Sequence, residues 1–488
     1  RDLHRVDRRQ RQMCIRDRTD TEIAAHLLNR YLDVGHYPLE AMRLTCEELK
    51  GSYAFLAIDA KQPDRLLVAK NATPIVIGIG EGEMIVASDI PAVIGFTRKV
   101  IILEEGDFAE VSASQVRIQH GENEVVREVR TITWDAVTAQ KGGFKHYMLK
   151  EIHEQPQALV DAFRGRVEPG SGRIFLPEIG FEDEQVQCIQ RILLVACGTA
   201  WHACLVGKFY LEELSGIPCE VDYASELRYR KPMIDANTLV IAVSQSGETA
   251  DTLAAVDLAS KQALTLAICN VLGSSLGRKV GNVIYTHAGP EMSVASTKAF
   301  TTQLVALYLL ALYLGQRRGM LQPESLFKLI APLFQLSRVI DDALKTHDTV
   351  RAVARKYYHA RDFLYVARGI CYPIALEGAL KLKEISYVHA EGYPAGELKH
   401  GPIALIDEHM PVVVILQKSD IIFEKTLSNL KEIESRNGKI IAVTDVHGHS
   451  EIRKVAQDVI EVPFISEYLS PLILSIPLQL LALSLIHI

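Results

Sequence analysis

RILLVACGTAWHACLVGKFYLEE, residues 191–213, and DFLYVARGICYPIALEGALKLKE, residues 362–384, read as one unit written twice. Each has a buried apolar strand, a turn at Gly198 or Gly369, and then a helix. The correspondence continues downstream. LVIAV (239–243) matches VVVIL (412–416), ALTLAI (263–268) matches KIIAVT (439–444), and NVIYTHAGPE (282–291) matches DVIEVPFISE (458–467). Each copy closes on an apolar helix, at 297–312 and 472–485. Strands that are apolar throughout, instead of alternating, are covered on both faces. The pattern therefore predicts two tandem α/β domains with parallel sheets flanked by helices.

Upstream the period changes. From about 19 to 140, short alternating strands such as GSYAFLAID (51–59), LLVAKN (66–71), MIVASD (84–89) and DFAEVSA (107–113) are punctuated by glycine-containing turns, which predicts mainly antiparallel β structure. Residues 141–182 hold one helical piece, HYMLKEIHEQPQALVDAF, and a loop rich in Gly and Pro, and read as a linker. The first eighteen residues carry seven arginines and no apolar periodicity, and read as foreign or disordered.

Composition narrows the function classes. The chain has 488 residues, 48% hydrophobic and 23% charged, as expected of a globular protein with sizeable cores. A formal charge of −7 argues against a general nucleic-acid binder, so an anionic ligand must be met locally. The eight cysteines form no CxxC pair, which points to reduced thiols in a cytoplasmic protein, without a disulfide framework or a zinc site. LVALYLLALYL (304–314) is too short to span a bilayer. YLSPLILSIPLQLLALSLIHI (468–488), with its prolines, glutamine and serines, reads as a buried helical segment, so no membrane partner is expected.

Two clusters carry chemistry. In open parallel sheets, ligands collect beyond the carboxyl ends of the strands. Ser244, Gln245, Ser246, Gly247, Glu248 and Thr249 lie there, between strand 239–243 and a helix beginning near Glu248. Free N–H groups and the positive end of the helix dipole favour an anion, so a phosphate can be held without Lys or Arg. A serine-rich helix cap is the plainer reading, but four hydroxyl or amide side chains in six residues exceed what one cap uses.

The second cluster is ALEGALKLKEISYVHAEGYPAGELKHGP (375–402). Glu377, Lys381 and Glu384 share one helical face, and the following loop supplies His400. Such a row is compatible with a solvated ion-pair ladder. At the carboxyl end of a strand, a carboxylate and an imidazole can also move protons between adjacent carbons of a sugar phosphate. A further hydroxyl-rich helix entry, SVASTKAFTTQ (293–303), reads on its own as a cap.

With HYMLKEIHEQP, SQSGETADT, VASTKAFTTQ, ALEGALKLKEISY and GELKHGP in place, the chain resembles the isomerizing glutamine–fructose-6-phosphate aminotransferases from about residue 19 to 483. The resemblance implies a partial Ntn-type (class II) glutaminase domain at 19–140 and two SIS (sugar isomerase) domains, at 183–345 and 346–488. It implies that Ser244, Gln245, Ser246 and Thr249 grip the sugar phosphate while Thr199, Val294 and Ser296 line the same pocket. Glu384 would be the proton-transfer base and Lys381 its assistant, with Glu377 on the same catalytic face. His400, from the partner subunit of a homodimer, would promote ring opening. The ligands implied are fructose 6-phosphate, glucosamine 6-phosphate and glutamine, with no cofactor and no metal.

Departures from the family pattern shape the expected activity. Ala200 stands where the family often has a further hydroxyl. The only early cysteine is Cys14, inside RQMCIRDR, where the family's glutaminase needs an N-terminal cysteine nucleophile, and Asp20 is the one recognisable glutamine-site residue. LSLIHI stands where the family tail carries the lysine that forms a Schiff base with the sugar. The expectation is a chain that keeps sugar-phosphate binding but lacks both covalent catalysts. The rivals are a stand-alone phosphosugar isomerase or deaminase and a non-catalytic sugar-phosphate sensor. The 19–140 segment argues against both, and Glu384 with His400 argues against the sensor.

Overall fold

The computed structural model describes residues 20–51, 53–71, 73–90, 92–132, 141–168, 170, 172–419 and 421–486. The segment 1–18 with Cys14, the side chain of Asp20, and the last two residues of LSLIHI lie outside the described residues. The chain divides into two compact units, residues 1–140 and 141–488.

The first unit opens with helices α1 (Asp20–Val34) and α2 (Pro38–Glu48), which its strand-like periodicity does not announce. Pro38 starts α2 without losing a bond, because the first helical N–H has no intrahelical partner. Leu39, Met42 and Cys46 then pack with Leu28, Leu67, Ala69 and Phe108. Nine strands follow: β1 (Tyr53–Asp59), β2 (Gln62–Asn71), β3 (Val76–Ile79), β4 (Met84–Ala87), β5 (Lys99–Ile102), β6 (Asp107–Ser112), β7 (Val116–His120), β8 (Asn123–Val125) and β9 (Val129–Thr131). They form two sheets, β1-β2-β6-β7-β8 and β4-β3-β5-β9. All their pairings are antiparallel, as the alternating pattern predicts.

The second unit contains the repeat. Its first copy has β10 (Arg191–Ala196), β11 (Cys219–Tyr223), β12 (Thr238–Ser244), β13 (Leu264–Cys269) and β14 (Val283–Tyr285), in the order β11-β10-β12-β13-β14. Its second has β15 (Asp362–Ala367), β16 (His389–Pro394), β17 (Pro411–Leu416), β18 (Lys439–Thr444) and β19 (Asp458–Glu461), in the order β16-β15-β17-β18-β19. Every pairing is parallel. In each copy the chain leaves its first strand to one side and returns to the other, and that reversal opens a crevice above the carboxyl ends of the first and third strands.

Six helices matter for the site: α3 (Tyr147–Phe163), α4 (Gly198–Ser215), α5 (Ala250–Ala259), α6 (Lys298–Arg317), α7 (Tyr372–Ser386) and α8 (Ser470–Ile486). The two copies repeat a packing detail as well as a topology. A Cβ at Gly207 would lie 2.9 Å from the Leu307 methyls, and one at Gly378 would lie 2.8 Å from Leu478 Cδ1. Glycine at these equivalent positions lets α4 approach α6 and α7 approach α8. The helix in the segment read as a linker, α3, is built into the same core through Met148, Ile152, Leu159 and Phe163. Helix α6 is long and apolar enough to cross a membrane, yet 94% of its apolar window is buried in the fold, and α8 is buried in the same way.

Candidate active site

A cavity of about 160 Å³ sits over the crevice of the first copy, lined by Cys197, Thr199 and Ala200 after β10, by Ser244, Gln245, Ser246, Thr249 and Thr252 after β12, and by Ser296 and Gln303. Three helices begin at this cavity. α4 starts at Gly198, α5 at Ala250, two residues later than expected, and α6 at Lys298. None of the three is capped by its own N-cap side chain, but Glu291 occupies the first turn of α6, so it is α4 and α5 that direct unspent N–H groups and the positive ends of their dipoles toward one place. The lining contains no Lys, Arg or carboxylate. Backbone and hydroxyl donors make this a site for an anion.

The 244–249 turn is held from within and from behind. Gly247 N–H donates to Ser244 Oγ (3.0 Å), Ser244 and Thr249 hydroxyls lie 3.1 Å apart, and Glu248 N–H donates to Ser246 Oγ (3.2 Å). Gly247 has φ +66°, and a Cβ there would meet Ser274 Oγ at 2.3 Å, so only glycine fits between this turn and the next. Glu248, the one acid in the motif, turns its Oε1 to the N–H of Ser275 (2.8 Å). That keeps its charge out of the lining.

Thr199 joins this cavity to the second cluster. Its hydroxyl donates to Glu377 Oε1 (3.2 Å) and accepts from Lys381 Nζ (3.1 Å). On α7, Lys381 Nζ lies 2.6 Å from Glu384 Oε2 and 3.4 Å from Glu377 Oε1. Lys381 is 1% exposed and Glu377 3%, so the row is no solvated ladder. Burial alone would depress the Lys381 ammonium, but the charges of Glu377 and Glu384 and the hydrogen bond it donates to Glu384 outweigh it and hold its pKa above the ordinary lysine value. Lys381 is therefore a fixed cation and not a base. Glu384 is only partly buried and is the carboxylate of the row with an open side.

The other expected residues lie apart. His400 is exposed on the 3-10 turn Ala395–His400 and, among the described residues, makes no hydrogen bond or ion pair with the row. Val294 is 94% exposed and its side chain does not line the cavity. Asp20 is the first residue of α1.

Three further residues belong to the constellation. His202 Nδ1 is 2.7 Å from Glu377 Oε2, fixing the carboxylate that Thr199 and Lys381 hold on its other oxygen. Gln303 Oε1 is buried in the cavity lining without a hydrogen-bond partner among the described residues, and the buried Thr252 hydroxyl lies there against the Cys197 thiol. Buried polar atoms are nearly always paired, so the Gln303 carbonyl stands open to accept from a group bound in the cavity. Spacing could not pick out His202, which reads as one polar residue on an apolar helix, while Gln303 lies at the end of the SVASTKAFTTQ stretch that reads on its own as a cap.

A family model described as the SIS domain matches residues 185–313 and 356–488, the two copies of the repeat. The isomerizing glutamine–fructose-6-phosphate aminotransferase of Thermus thermophilus is 46% identical over 471 residues, covering 96% of this chain and 76% of the relative. That of Gloeobacter violaceus is 45% identical over 481 residues, covering 98% and 78%. The chain belongs to this aminotransferase family. Among solved structures, the C-terminal domain of glucosamine-fructose-6-phosphate aminotransferase from Francisella tularensis aligns with a TM-score of 0.67 at 39% identity, covering 71% of this chain and 98% of that one. A glucosamine-6-phosphate deaminase from Thermotoga maritima shares the fold, at 22% identity and a TM-score of 0.54, over 70% of this chain and 94% of that one.

Proposed function

We propose that the cavity of this aminotransferase binds fructose 6-phosphate and that the adjoining row on α7 carries out the isomerising proton transfer toward glucosamine 6-phosphate, with glutamine as the family's nitrogen donor. Ser244, Gln245, Ser246 and Thr249, with Thr199 and Ser296, receive the phosphate and nearby hydroxyls at the N-termini of α4 and α5. Glu384 removes a proton from C1 of the open-chain sugar and returns one to C2. Lys381 holds the negative charge that develops beside it, and Glu377 keeps Lys381 in place. An exposed His400 suits a residue that works in the site of a second copy within a homodimer.

The observation that carries this reading is the Thr199 hydroxyl, which lines the phosphate cavity and hydrogen-bonds both Glu377 and Lys381. Anion site and proton-transfer row are therefore one site. The test is solvent-proton exchange at C1 of fructose 6-phosphate in Glu384→Gln. A general base contributes about 10²- to 10⁴-fold, so exchange should fall by that order while sugar-phosphate affinity is kept. Equal losses in exchange and affinity would contradict the assignment.

A further inference from the structure

Helix α3 precedes both copies of the repeat, and one of its acids is buried where an amphipathic helix would place an apolar side chain. Glu151 is 2% exposed. Its Oε1 accepts from the N–H groups of Met292 (2.5 Å) and Ser293 (3.0 Å), and its Oε2 is buried with no hydrogen-bond partner among the described residues. Met292 and Ser293 belong to the loop that leaves β14 and enters α6, and that loop carries Ser296 into the cavity.

The neighbouring residues give the loop little freedom elsewhere. Glu291 Oε1 accepts from the N–H groups of Thr297 (2.8 Å) and Ala299 (3.1 Å), bending the loop into the first turn of α6. Lys298 is buried and pairs with Glu154 Oε2 at 2.7 Å, one turn along α3 from Glu151. Gln155 Nε2 donates to Gln479 Oε1 of α8 (2.8 Å), and Gln155 Oε1 accepts from Thr301 of α6 (2.9 Å). Helix α3 is thus clamped to both copies and serves as a rigid reference for the loop. A buried carboxylate costs stability compared with an apolar residue of similar size. What this one supplies is a pair of charge-assisted bonds to the loop backbone.

We propose that Glu151 is a positioning residue for the sugar-phosphate site, fixing the 291–297 loop at the height where Ser296 meets the ligand. The inference rests on the reading of the cavity as that site. In the full chain, Glu151→Ala should speed hydrogen exchange at the Met292 and Ser293 amides and weaken fructose 6-phosphate binding by about tenfold. Glu151→Gln keeps one acceptor oxygen and should restore affinity to within about threefold. Glu151→Asp, which falls short of the loop by one methylene, should behave as Glu151→Ala does and serves if the alanine variant does not fold. Merely structural damage would not be rescued by glutamine while sparing exchange elsewhere in the chain. Wild-type binding left unchanged by both Glu151→Ala and Glu151→Asp would overturn the role of Glu151 alone. A wild-type chain that bound no fructose 6-phosphate would overturn the site reading and this role with it.

Discussion

Lys381 Nζ donates to Thr199 Oγ1 at 3.1 Å, although the two residues stand 182 positions apart in successive copies of the repeat. The bond links a helix N-terminus of the first copy to the middle of α7 in the second, so on the proposed reading neither copy holds a complete site. The first supplies the anion cavity, and the second supplies the carboxylates and the cation. A duplicated fold that kept both copies identical would have two anion sites. In the second copy, a Cβ at Gly369 would lie 2.5 Å from Ile422 Cδ1, so an apolar side chain occupies the space beside that turn.

Thr199→Val keeps the shape of the side chain and removes both bonds. Hydrogen bonds to charged groups are worth roughly 1.5–3 kcal/mol each, so C1 proton exchange should fall about 10- to 100-fold, as Glu377 and Lys381 lose their common anchor. Sugar-phosphate affinity should fall less, because Thr199 is one of several donors. Exchange kinetics and titration on the same preparation compare the two, and an unchanged exchange rate would show that the link to Lys381 is incidental.

Lys381→Met should destabilise the fold by about 3–5 kcal/mol, since it leaves Glu377 buried without its cation. Adding Glu377→Gln should recover part of the loss, and a double-mutant cycle in urea measures the coupling. The sign of the pH dependence follows from the raised pKa of Lys381. Stability from a raised lysine is fully present below its unfolded value, about 10.4, and is lost only as pH rises through the folded value. The cost of Lys381→Met should therefore be the same at pH 7 and pH 9.

Glu151 behaves oppositely. Burial is the largest cause, followed by the charge of Glu291, and together they push its pKa up to about 7, against the two backbone N–H bonds and the charge of Lys298. On its own helix, Glu154 is paired with Lys150 and also with Lys298 of α6. A carboxyl whose folded pKa is raised binds protons more tightly in the native state, so stability is highest below about pH 4.5 and falls as pH rises toward 7. Glu151→Gln removes that dependence. Its unfolding free energy should gain on wild type by roughly 2–3 kcal/mol between pH 5 and pH 8, measured by urea melts. Parallel curves for the two proteins would contradict the buried, raised state of Glu151.

Much of this was legible in the sequence where the physics is periodic. Apolar runs such as LVIAV and VVVIL gave the parallel strands, and their spacing gave the repeat. The edge strands β11 and β16 escaped because CEVDY and HAEGYP are short, polar and covered on one side only, so they read as loop. The anion turn was legible because its hydroxyls are adjacent in sequence. Thr199 and Ser296 came only from the family resemblance, and Thr252 and Gln303 were missed because they reach the cavity, as His202 reaches Glu377, only when their helices converge. The core-facing polar residues of α3 hid for another reason. HYMLKEIHEQP has the charge pattern of a solvated helix, and nothing local reveals that Glu151 and Gln155 face the core.

Calorimetric titration of fructose 6-phosphate into wild type and into the Ser246→Ala, Thr249→Ala double variant tests the central claim most directly, since it asks whether hydroxyls and helix N-termini alone hold the phosphate. The account predicts binding by wild type and a loss of more than about tenfold in the variant, from charge-assisted bonds of roughly 1.5–3 kcal/mol each. Equal affinity in the two proteins would contradict it.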